Sequence, residues 1–200
     1  MIIGITGGTG CGKTTLLEII RANGGLVLDC DAVYHQLLQT DHGLLQSIED
    51  RFPGTVTDGQ LQRKVLGSIV FSDPAALEDL NRITHGAVRQ AVVEQLTPEP
   101  TLAAIDAIGL FESGLDKLCK LTIAVTAPRD QRINRLMARD NITREYAQAR
   151  IDAQPADEIF AQKCDFCLTN DGSADDFRQK CLVFLTEQGI IKENSKGEWI

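Results

Sequence analysis

A glycine-rich segment near the start of the chain carries the most specific chemical pattern in the sequence. Residues 7–14 read G-G-T-G-C-G-K-T, which fits the pattern G-x-x-x-x-G-K-[S/T]. Glycines let the backbone fold tightly around an anion, and the helix that follows adds the positive end of its dipole. We therefore predict that this segment binds the phosphates of a nucleotide. The predicted contacts are Gly7, Gly8, Gly10, Cys11, Gly12, Lys13, Thr14 and Thr15.

Two side chains of this segment have specific predicted roles. Lys13 should reach the β- and γ-phosphates, and the Thr14 hydroxyl should ligate Mg²⁺. The segment alone does not say what happens to the phosphate. A GTP-hydrolysing switch would add the motifs D-x-x-G and N-K-x-D; residues 106–109 match the first, and the second is absent from the sequence. The switch is therefore the less favoured alternative to a kinase.

Two aspartates, Asp29 and Asp31, follow the second predicted strand. Ligands of open α/β sheets bind beyond the carboxyl ends of the strands, so these carboxylates should lie near the phosphate segment. A kinase needs a carboxylate to accept the proton of the attacking hydroxyl, or to hold Mg²⁺ through water. Asp31 could instead cap a helix that begins near Ala32. The presence of two carboxylates favours the functional role.

Three arginines after the fourth predicted strand share one helix face. Arg132, Arg135 and Arg139 recur at intervals of three and four residues. Such a row can neutralise the charge of a phosphoryl group in transfer, and a solvated surface face is an equally favoured alternative. Arg150, on the next predicted helix, could join the row.

The composition limits the class of protein. With 200 residues, 43% of them hydrophobic, the chain can form one core and a smaller appendage. Its formal charge of −8 disfavours nucleic acid as the main partner. No signal-peptide pattern and no apolar run of about 20 residues is present, so we expect a cytoplasmic protein without a membrane partner. The six cysteines are scattered, and we expect free thiols with no metal bound at Cys164 and Cys167.

Five short apolar segments predict an α/β fold with a buried parallel sheet. They are residues 2–6, 26–29, 102–108, 121–126 and 166–169. Helical patterns cover residues 13–23, 74–96, 131–139 and 144–153, and a last helix runs from about 173 towards 187. Asp73 is the expected N-cap of the long helix, with Pro74 at its first position. Ser173 and Asp176 resemble a capping box.

About seventy residues separate the second and third predicted strands, far more than a crossover needs. We therefore predict a helical insertion between residues 31 and 100. It carries Arg63 and, four residues apart on one helix face, His85 and Arg89. Any of the three could contact an acidic substrate, although a structural role is the favoured interpretation of a lone histidine.

Six motifs in order resemble those of the dephospho-coenzyme A kinases. Residues 3–15 are similar to the family's I-G-L-T-G-G-I-G-S-G-K-S-T, and residues 28–31 to its I-D-A-D. Residues 110–115 (L-F-E-S-G-L), 135–140 (R-L-M-A-R-D), 149–154 (A-R-I-x-x-Q) and 170–172 (N-D-G) match the family's remaining motifs. The resemblance extends from Met1 to about Leu185.

This resemblance implies transfer of the γ-phosphoryl group of ATP, with Mg²⁺, to the ribose 3′-hydroxyl of dephospho-coenzyme A. It implies that Asp31 is the base, that Arg135 and Arg139 close over the phosphates, and that Asn170 lies near the adenine. Lys13, Asp31 and Arg139 would then be the catalytic residues. The acceptor would be held by Asp29, Asp31, Arg63, His85, Arg89 and Glu112.

The implied architecture is a P-loop kinase fold in which a five-stranded parallel sheet is flanked by helices. The nucleotide-binding core would comprise residues 1–30, 101–127 and 161–191. Residues 31–100 would form the helical acceptor domain, residues 128–160 a lid, and residues 192–200 a polar tail. The oligomeric state is not indicated by the sequence.

The chain departs from the family pattern at three places in or beside the acceptor region. Ile108 and Gly109 replace a proline and a leucine, Gly86 replaces the proline after a histidine, and Gln62 replaces an aspartate. Three alternatives remain open, and the departures at Ile108 and Gly86 bear on the last of them. The alternatives are a kinase of the same fold that acts on a nucleoside or nucleotide, a nucleotide-binding switch, and a binding protein without turnover.

Overall fold

The computed structural model describes residues 1–192 of the chain. Its strands are β1 (Ile2–Thr6), β2 (Leu26–Asp29), β3 (Val56–Thr57), β4 (Gln60–Leu61), β5 (Ala103–Asp106), β6 (Leu121–Thr126) and β7 (Phe166–Thr169). Its helices are α1 (Lys13–Ala22), α2 (Cys30–Thr40), α3 (His42–Arg51), α4 (Arg63–Val70), α5 (Pro74–Gln95), α6 (Arg129–Asp140), α7 (Arg144–Asp152), α8 (Asp157–Lys163) and α9 (Ala174–Glu187). The predicted tail lies, apart from Lys192, outside the described residues, and so does Trp199.

The main sheet has five parallel strands in the order β2-β5-β1-β6-β7, which confirms the predicted fold class. Strand β1 is central, and residues 3–6 of it are buried, as continuous apolar runs predict. The third predicted strand is shorter than expected and ends at Asp106 instead of Ile108. Ala107 still donates to the carbonyl of Ile5 at 3.1 Å, after which the chain turns away from the ladder.

A buried apolar cluster joins the sheet to helices α1 and α9. Ile3 and Ile5 of β1 are fully buried, and Leu16 of α1 and Leu185 of α9 contribute from the two helices. This packing fixes the end of β1 and the start of α1. The connection between them, which holds the phosphate segment, is therefore anchored at both ends.

Two of the helix caps predicted from the sequence, those of α5 and α9, are confirmed. The Asp73 carboxylate accepts a hydrogen bond from the Ala75 amide, with Pro74 in the first turn of α5. Ser173 and Asp176 form a complete capping box at α9. Helix α6 begins at Arg129, two residues before the predicted start, and α8 was not predicted.

Two compact units make up the described chain. The first contains residues 1–28, 99–110 and 115–192, with the sheet and helices α6 to α9. The second contains residues 29–98 and 111–114, in which α2, α3, α4 and α5 pack around a core of their own. A two-residue turn at Asp58 and Gly59, both with positive φ, joins β3 to β4 in the second unit.

Between residues 1 and 192, no helix is both long and apolar enough to cross a membrane.

Candidate functional site

The start of helix α1 is prepared for an anion. Gly12 precedes Lys13 in a left-handed conformation, and α1 has neither a side-chain cap nor an acidic residue in its first turn. Its first N–H groups therefore lack the side-chain acceptor that caps most helices, and the helix dipole adds a positive end. An anionic group is the partner that this arrangement favours.

Two glycines of the segment are required by its backbone geometry. Gly7 has a φ of 134°, and a Cβ there would overlap the carbonyl oxygen of Val125. Gly12 has a φ of 101°, and a Cβ there would overlap the side-chain amide of Asn170. The loop can therefore take its tight course only with glycine at both positions.

Lys13 is held inside the loop. Its Nζ donates to the carbonyl oxygen of Gly7 at 2.9 Å and lies 3.8 Å from a carboxylate oxygen of Asp106. Asp106 ends β5, the strand next to β1. Sequence reasoning considered this aspartate only as part of a switch motif and missed it as a site residue. A carboxylate at the end of a buried strand is the signal that could have identified it, but the predicted strand extended past it to residue 108.

Arg135 and Asn170 are hydrogen-bonded to each other and to backbone carbonyl groups of the loop. Asn170 is buried, and its Nδ2 donates to the carbonyl oxygen of Cys11 at 2.9 Å. Its Oδ1 accepts a hydrogen bond from Arg135 Nη2 at 2.9 Å, and Arg135 Nη1 lies 3.3 Å from the carbonyl oxygen of Gly10. Two predicted nucleotide contacts thus lie together against the loop. Their contact with a nucleotide stays a prediction.

Thr9, at the outer part of the loop, is bonded on both sides. Its amide donates to Gln154 Oε1 at 2.7 Å, and its carbonyl oxygen accepts from Arg132 Nε at 2.9 Å. Arg132 Nη1 also pairs with Asp157 at 2.5 Å. The sequence placed Arg132 in a row of phosphate-neutralising or solvent-exposed arginines. In the structure it is buried and bonded to the protein.

Arg139 lies at the end of α6 and is largely exposed, with 59% of its side-chain surface accessible. Its Nε and Nη2 donate to the two carboxylate oxygens of Asp140 at 2.7 and 3.0 Å, and Arg150 donates to the same carboxylate at 2.6 Å. The hydrogen bonds from Arg139, and to a smaller extent that from Arg150, lower the pKa of Asp140 to about 2. Arg139 and Arg150 therefore share one carboxylate, and the closing role of Arg139 stays a prediction.

The Cys11 thiol is buried within the loop and 1% exposed. Burial raises the pKa of this thiol, although the Lys13 charge acts in the opposite direction. A buried thiol with a raised pKa carries little thiolate at neutral pH and reacts slowly. The Cys11 side chain is thus not exposed to a ligand.

Asp29 and Asp31 have different surroundings. Asp29 is the N-cap of α2, since its Oδ1 accepts from the amides of Asp31 and Ala32 at 2.9 and 3.1 Å. The alternative that Asp31 caps this helix is wrong, because α2 begins at Cys30 and Asp31 lies in its first turn. The carboxylate of Asp31 is consequently not used as a cap.

The other predicted acceptor residues belong to the second unit. Arg63 begins α4 and lines a cleft of about 410 Å³ with His42 and Asp58. Arg63 also lies close enough to Tyr34 to oppose the rise in the Tyr34 pKa that burial causes. His85 and Arg89 lie one turn apart on α5. Glu112 is exposed in the segment 111–114.

Two side chains at or beside the loop carry oxygen atoms that could ligate a magnesium ion. The Thr14 hydroxyl, in the first turn of α1, and the Asp106 carboxylate are oxygen ligands of the kind that Mg²⁺ prefers. Within residues 1–192, no group of three or more His, Cys, Asp and Glu side chains could hold a metal ion. Substrate phosphates would therefore complete the coordination, as is usual for this ion.

Comparison with known proteins gives one consistent result. Residues 1–176 match the family model described as dephospho-CoA kinase. A dephospho-CoA kinase of Lactobacillus acidophilus is 34% identical over 203 residues, which cover 98% of each chain. A crystal structure of a Thermus thermophilus protein gives a TM-score of 0.77 at 34% identity and covers 94% of this chain and 97% of that one. For a dephospho-CoA kinase of Campylobacter jejuni the TM-score is 0.65 at 30% identity, with 94% and 96% covered.

Proposed function

The chain belongs to the dephospho-CoA kinase family and is a kinase of dephospho-CoA in CoA biosynthesis. We propose a role for individual residues in this reaction. ATP is the phosphoryl donor. The loop at residues 7–15 binds the donor phosphates, and the ribose 3′-hydroxyl of dephospho-CoA is the acceptor. The uncapped start of α1 behind Gly12 is the observation that carries the donor part of this proposal.

Lys13 neutralises charge on the β- and γ-phosphates as the phosphoryl group leaves. Its ammonium group is already held at the loop by the carbonyl oxygen of Gly7 and by Asp106. Little reorganisation is then needed when ATP binds, and preorganised charges of this kind stabilise the transition state.

The Thr14 hydroxyl and the Asp106 carboxylate would hold Mg²⁺ together with the phosphates of ATP. When bound, the ion screens the negative charge of the β- and γ-phosphates. The pairing of Asp106 with Lys13 supports this assignment, because it places the carboxylate beside the loop.

Asp31 accepts the proton of the attacking 3′-hydroxyl. Asp29 already supplies the cap of α2, so the Asp31 carboxylate can serve the acceptor. Asp29, Arg63, His85, Arg89 and Glu112 are the further proposed contacts of dephospho-CoA. The cations among them suit the diphosphate and ribose groups of that substrate.

The arginines of helix α6 act on the donor side. Arg135 and Asn170 keep the loop in place and border the nucleotide. Arg139 moves from Asp140 to the transferring phosphoryl group when residues 128–160 close as a lid, which excludes water from the γ-phosphate. A cytoplasmic location and the absence of a nucleic acid partner stay predictions.

A coupled ADP-release assay across acceptors tests the proposal. Wild-type protein with ATP and Mg²⁺ should turn over dephospho-CoA and leave nucleosides and other nucleotides unchanged. Release of ADP with a nucleoside or nucleotide alone would favour another kinase of this fold. Hydrolysis of GTP without any acceptor would favour a switch.

A further inference from the structure

We propose that Arg132 and Gln154 are positioning residues for the phosphate loop, which they hold by bonding to both backbone groups of Thr9. The proposal rests on the proposed function, because it assigns these residues to the donor side of the same reaction. Neither residue needs to touch ATP. They act through Thr9 and fix the conformation in which the loop N–H groups meet the phosphates.

The backbone around Thr9 needs such a restraint. Thr9 lies between Gly8 and Gly10, and Gly10 has a φ of 79°. Glycine has the largest conformational freedom of any residue, and ordering its backbone therefore costs more entropy than ordering any other residue. A loop with glycines on both sides of Thr9 therefore populates many conformations unless something outside it selects one.

Two side chains from one region of the chain make that selection. Gln154, in the connection between α7 and α8, accepts from the Thr9 amide at 2.7 Å. Arg132, on α6, donates to the Thr9 carbonyl oxygen at 2.9 Å. Both backbone groups of Thr9 are thus bonded to side chains. These bonds span 145 and 123 positions of the sequence, so they are tertiary restraints on the loop.

The environment of Arg132 indicates a dedicated role. Its side chain is 5% exposed, and it is the one charged residue among the buried residues of the described chain. Burying a charge is unfavourable unless it is paired, and here Asp157 pairs with Nη1 at 2.5 Å. Asp157 is itself bonded to the Ala127 amide at 3.3 Å, which fixes the direction of the guanidinium. The arginine therefore reaches Thr9 in one defined orientation.

The Nη2 atom of Arg132 explains why position 8 of the loop is a glycine. Nη2 of Arg132 is buried without a hydrogen-bond partner in the described chain, and a Cβ at Gly8 would overlap it. Arg132 thus occupies the space that any side chain at position 8 would need. Leaving a buried donor without a partner is unfavourable, which is consistent with a position set by the Thr9 and Asp157 bonds.

Substitution of Gln154 by methionine tests the proposal most directly. Gln154→Met removes the acceptor of the Thr9 amide and keeps the length of a side chain that is only partly buried. Gln162→Met, at an exposed glutamine on α8, is the matched control. We expect the Kd for ADP, measured by calorimetry without any acceptor, to rise about tenfold in Gln154→Met, because the loop is then no longer held in one conformation before the nucleotide binds. The control should stay within twofold of wild type.

Steady-state kinetics separate positioning from general damage. In Gln154→Met the KM for ATP should rise by the same factor as the Kd for ADP, while the KM for dephospho-CoA stays within twofold. The melting temperature of the nucleotide-free variant should stay within about 2 °C of wild type. Unchanged ADP affinity, or an equal loss for both substrates, would overturn the proposal. The calorimetric result stands even if wild-type protein failed to phosphorylate dephospho-CoA, so the two failures are distinguishable.

Arg132→Lys adds a second, independent arm. Lysine keeps a charge beside Asp157 but cannot bond to Asp157 and to the Thr9 carbonyl together in the forked geometry of arginine. ADP affinity should fall, and the double variant with Gln154→Met should lose less than the product of the two single losses, because both act on one residue. If the loss of ADP affinity in the double variant equalled the product of the two single losses, a shared action on Thr9 would be contradicted. If Arg132→Lys did not fold, Gln154→Met with its control would decide alone.

Discussion

The ammonium group of Lys13 lies 3.8 Å from the carboxylate of Asp106 and donates to the carbonyl oxygen of Gly7 at 2.9 Å. Lys13 starts α1, and Asp106 ends β5, the neighbour of β1 in the sheet. The pair thus joins the first turn of the helix to the carboxyl edge of the sheet. A donor cation and a carboxylate suited to Mg²⁺ are held beside the same loop before any nucleotide arrives.

Lys13→Ala should lower the rate of dephospho-CoA phosphorylation by about 10³-fold, because the charge that meets the γ-phosphate is lost. The measurement is the initial rate of ADP release, with circular dichroism to confirm that the fold is retained. Lys120→Ala, at an exposed lysine next to β6, is the control. A rate within threefold of wild type would remove Lys13 from the mechanism.

Asp106→Asn should lower the rate by about 10²-fold and raise the Mg²⁺ concentration needed for half-maximal activity, since a neutral amide is a weaker ligand than a carboxylate. Initial rates over a Mg²⁺ titration at saturating ATP measure both effects. Asp175→Asn, at an exposed aspartate of α9, serves as the comparison. An unchanged Mg²⁺ requirement would show that Asp106 does not act through the ion.

Asp31→Asn should lower the rate by at least 10²-fold without changing the free energy of unfolding, because it removes a general base. Asp29 provides the contrast within the same turn. Asp29→Ala should lower the free energy of unfolding by about 1 kcal/mol through loss of the α2 cap, whereas Asp29→Asn keeps the cap. Near-normal turnover of Asp31→Asn would refute its assignment as base.

Arg139→Ala should lower kcat by about 10²-fold and leave the KM for dephospho-CoA nearly unchanged, because the arginine acts on the phosphoryl group in transfer. Arg144→Ala, which breaks an exposed pair with Asp130, is the matched control. The two variants should have similar melting temperatures, since exposed ion pairs contribute little stability. An unchanged kcat would assign Arg139 to the surface.

Gly86→Ala should raise the free energy of unfolding by about 1 kcal/mol, because glycine is unfavourable inside a helix. Gly86 lies within α5, and a Cβ there meets no described atom within 4 Å. Gly24→Ala is the informative contrast, since Gly24 also has open space but a φ of 77° that alanine rarely adopts. Denaturant unfolding should move in opposite directions for the two variants. A shared direction would show that φ does not decide the outcome.

Much of the sheet could be predicted because buried parallel strands leave continuous apolar runs in the sequence. Four of the five predicted strand ranges are found unchanged. The hairpin at Asp58 and Gly59 was missed although its turn residues carry the usual signal of a two-residue connection. Helix α8 was missed because it is short and begins at Asp157 after an alanine, Ala156, that provides no side-chain cap.

The loop could be located from its glycines, but the side chains that hold it could not. Arg132 and Gln154 reach Thr9 from positions more than a hundred residues away, so no local pattern reports them. The helical spacing of the α6 arginines predicted one shared role. In the structure their surroundings differ, because Arg132 is buried and paired with Asp157, whereas Arg139 is exposed and paired with Asp140.

The hydrogen bond between the Thr9 amide and Gln154 also allows the opening of the loop to be followed by hydrogen exchange. An amide proton exchanges with solvent deuterium only when its hydrogen bond opens. The acceptor of this proton lies in the connection between α7 and α8, so its exchange rate follows separation of the loop from that connection. The nuclear magnetic resonance signal of the Thr9 amide, followed in deuterated solvent with and without nucleotide, would therefore measure how often the loop separates from this connection. Steady-state turnover does not report that motion separately.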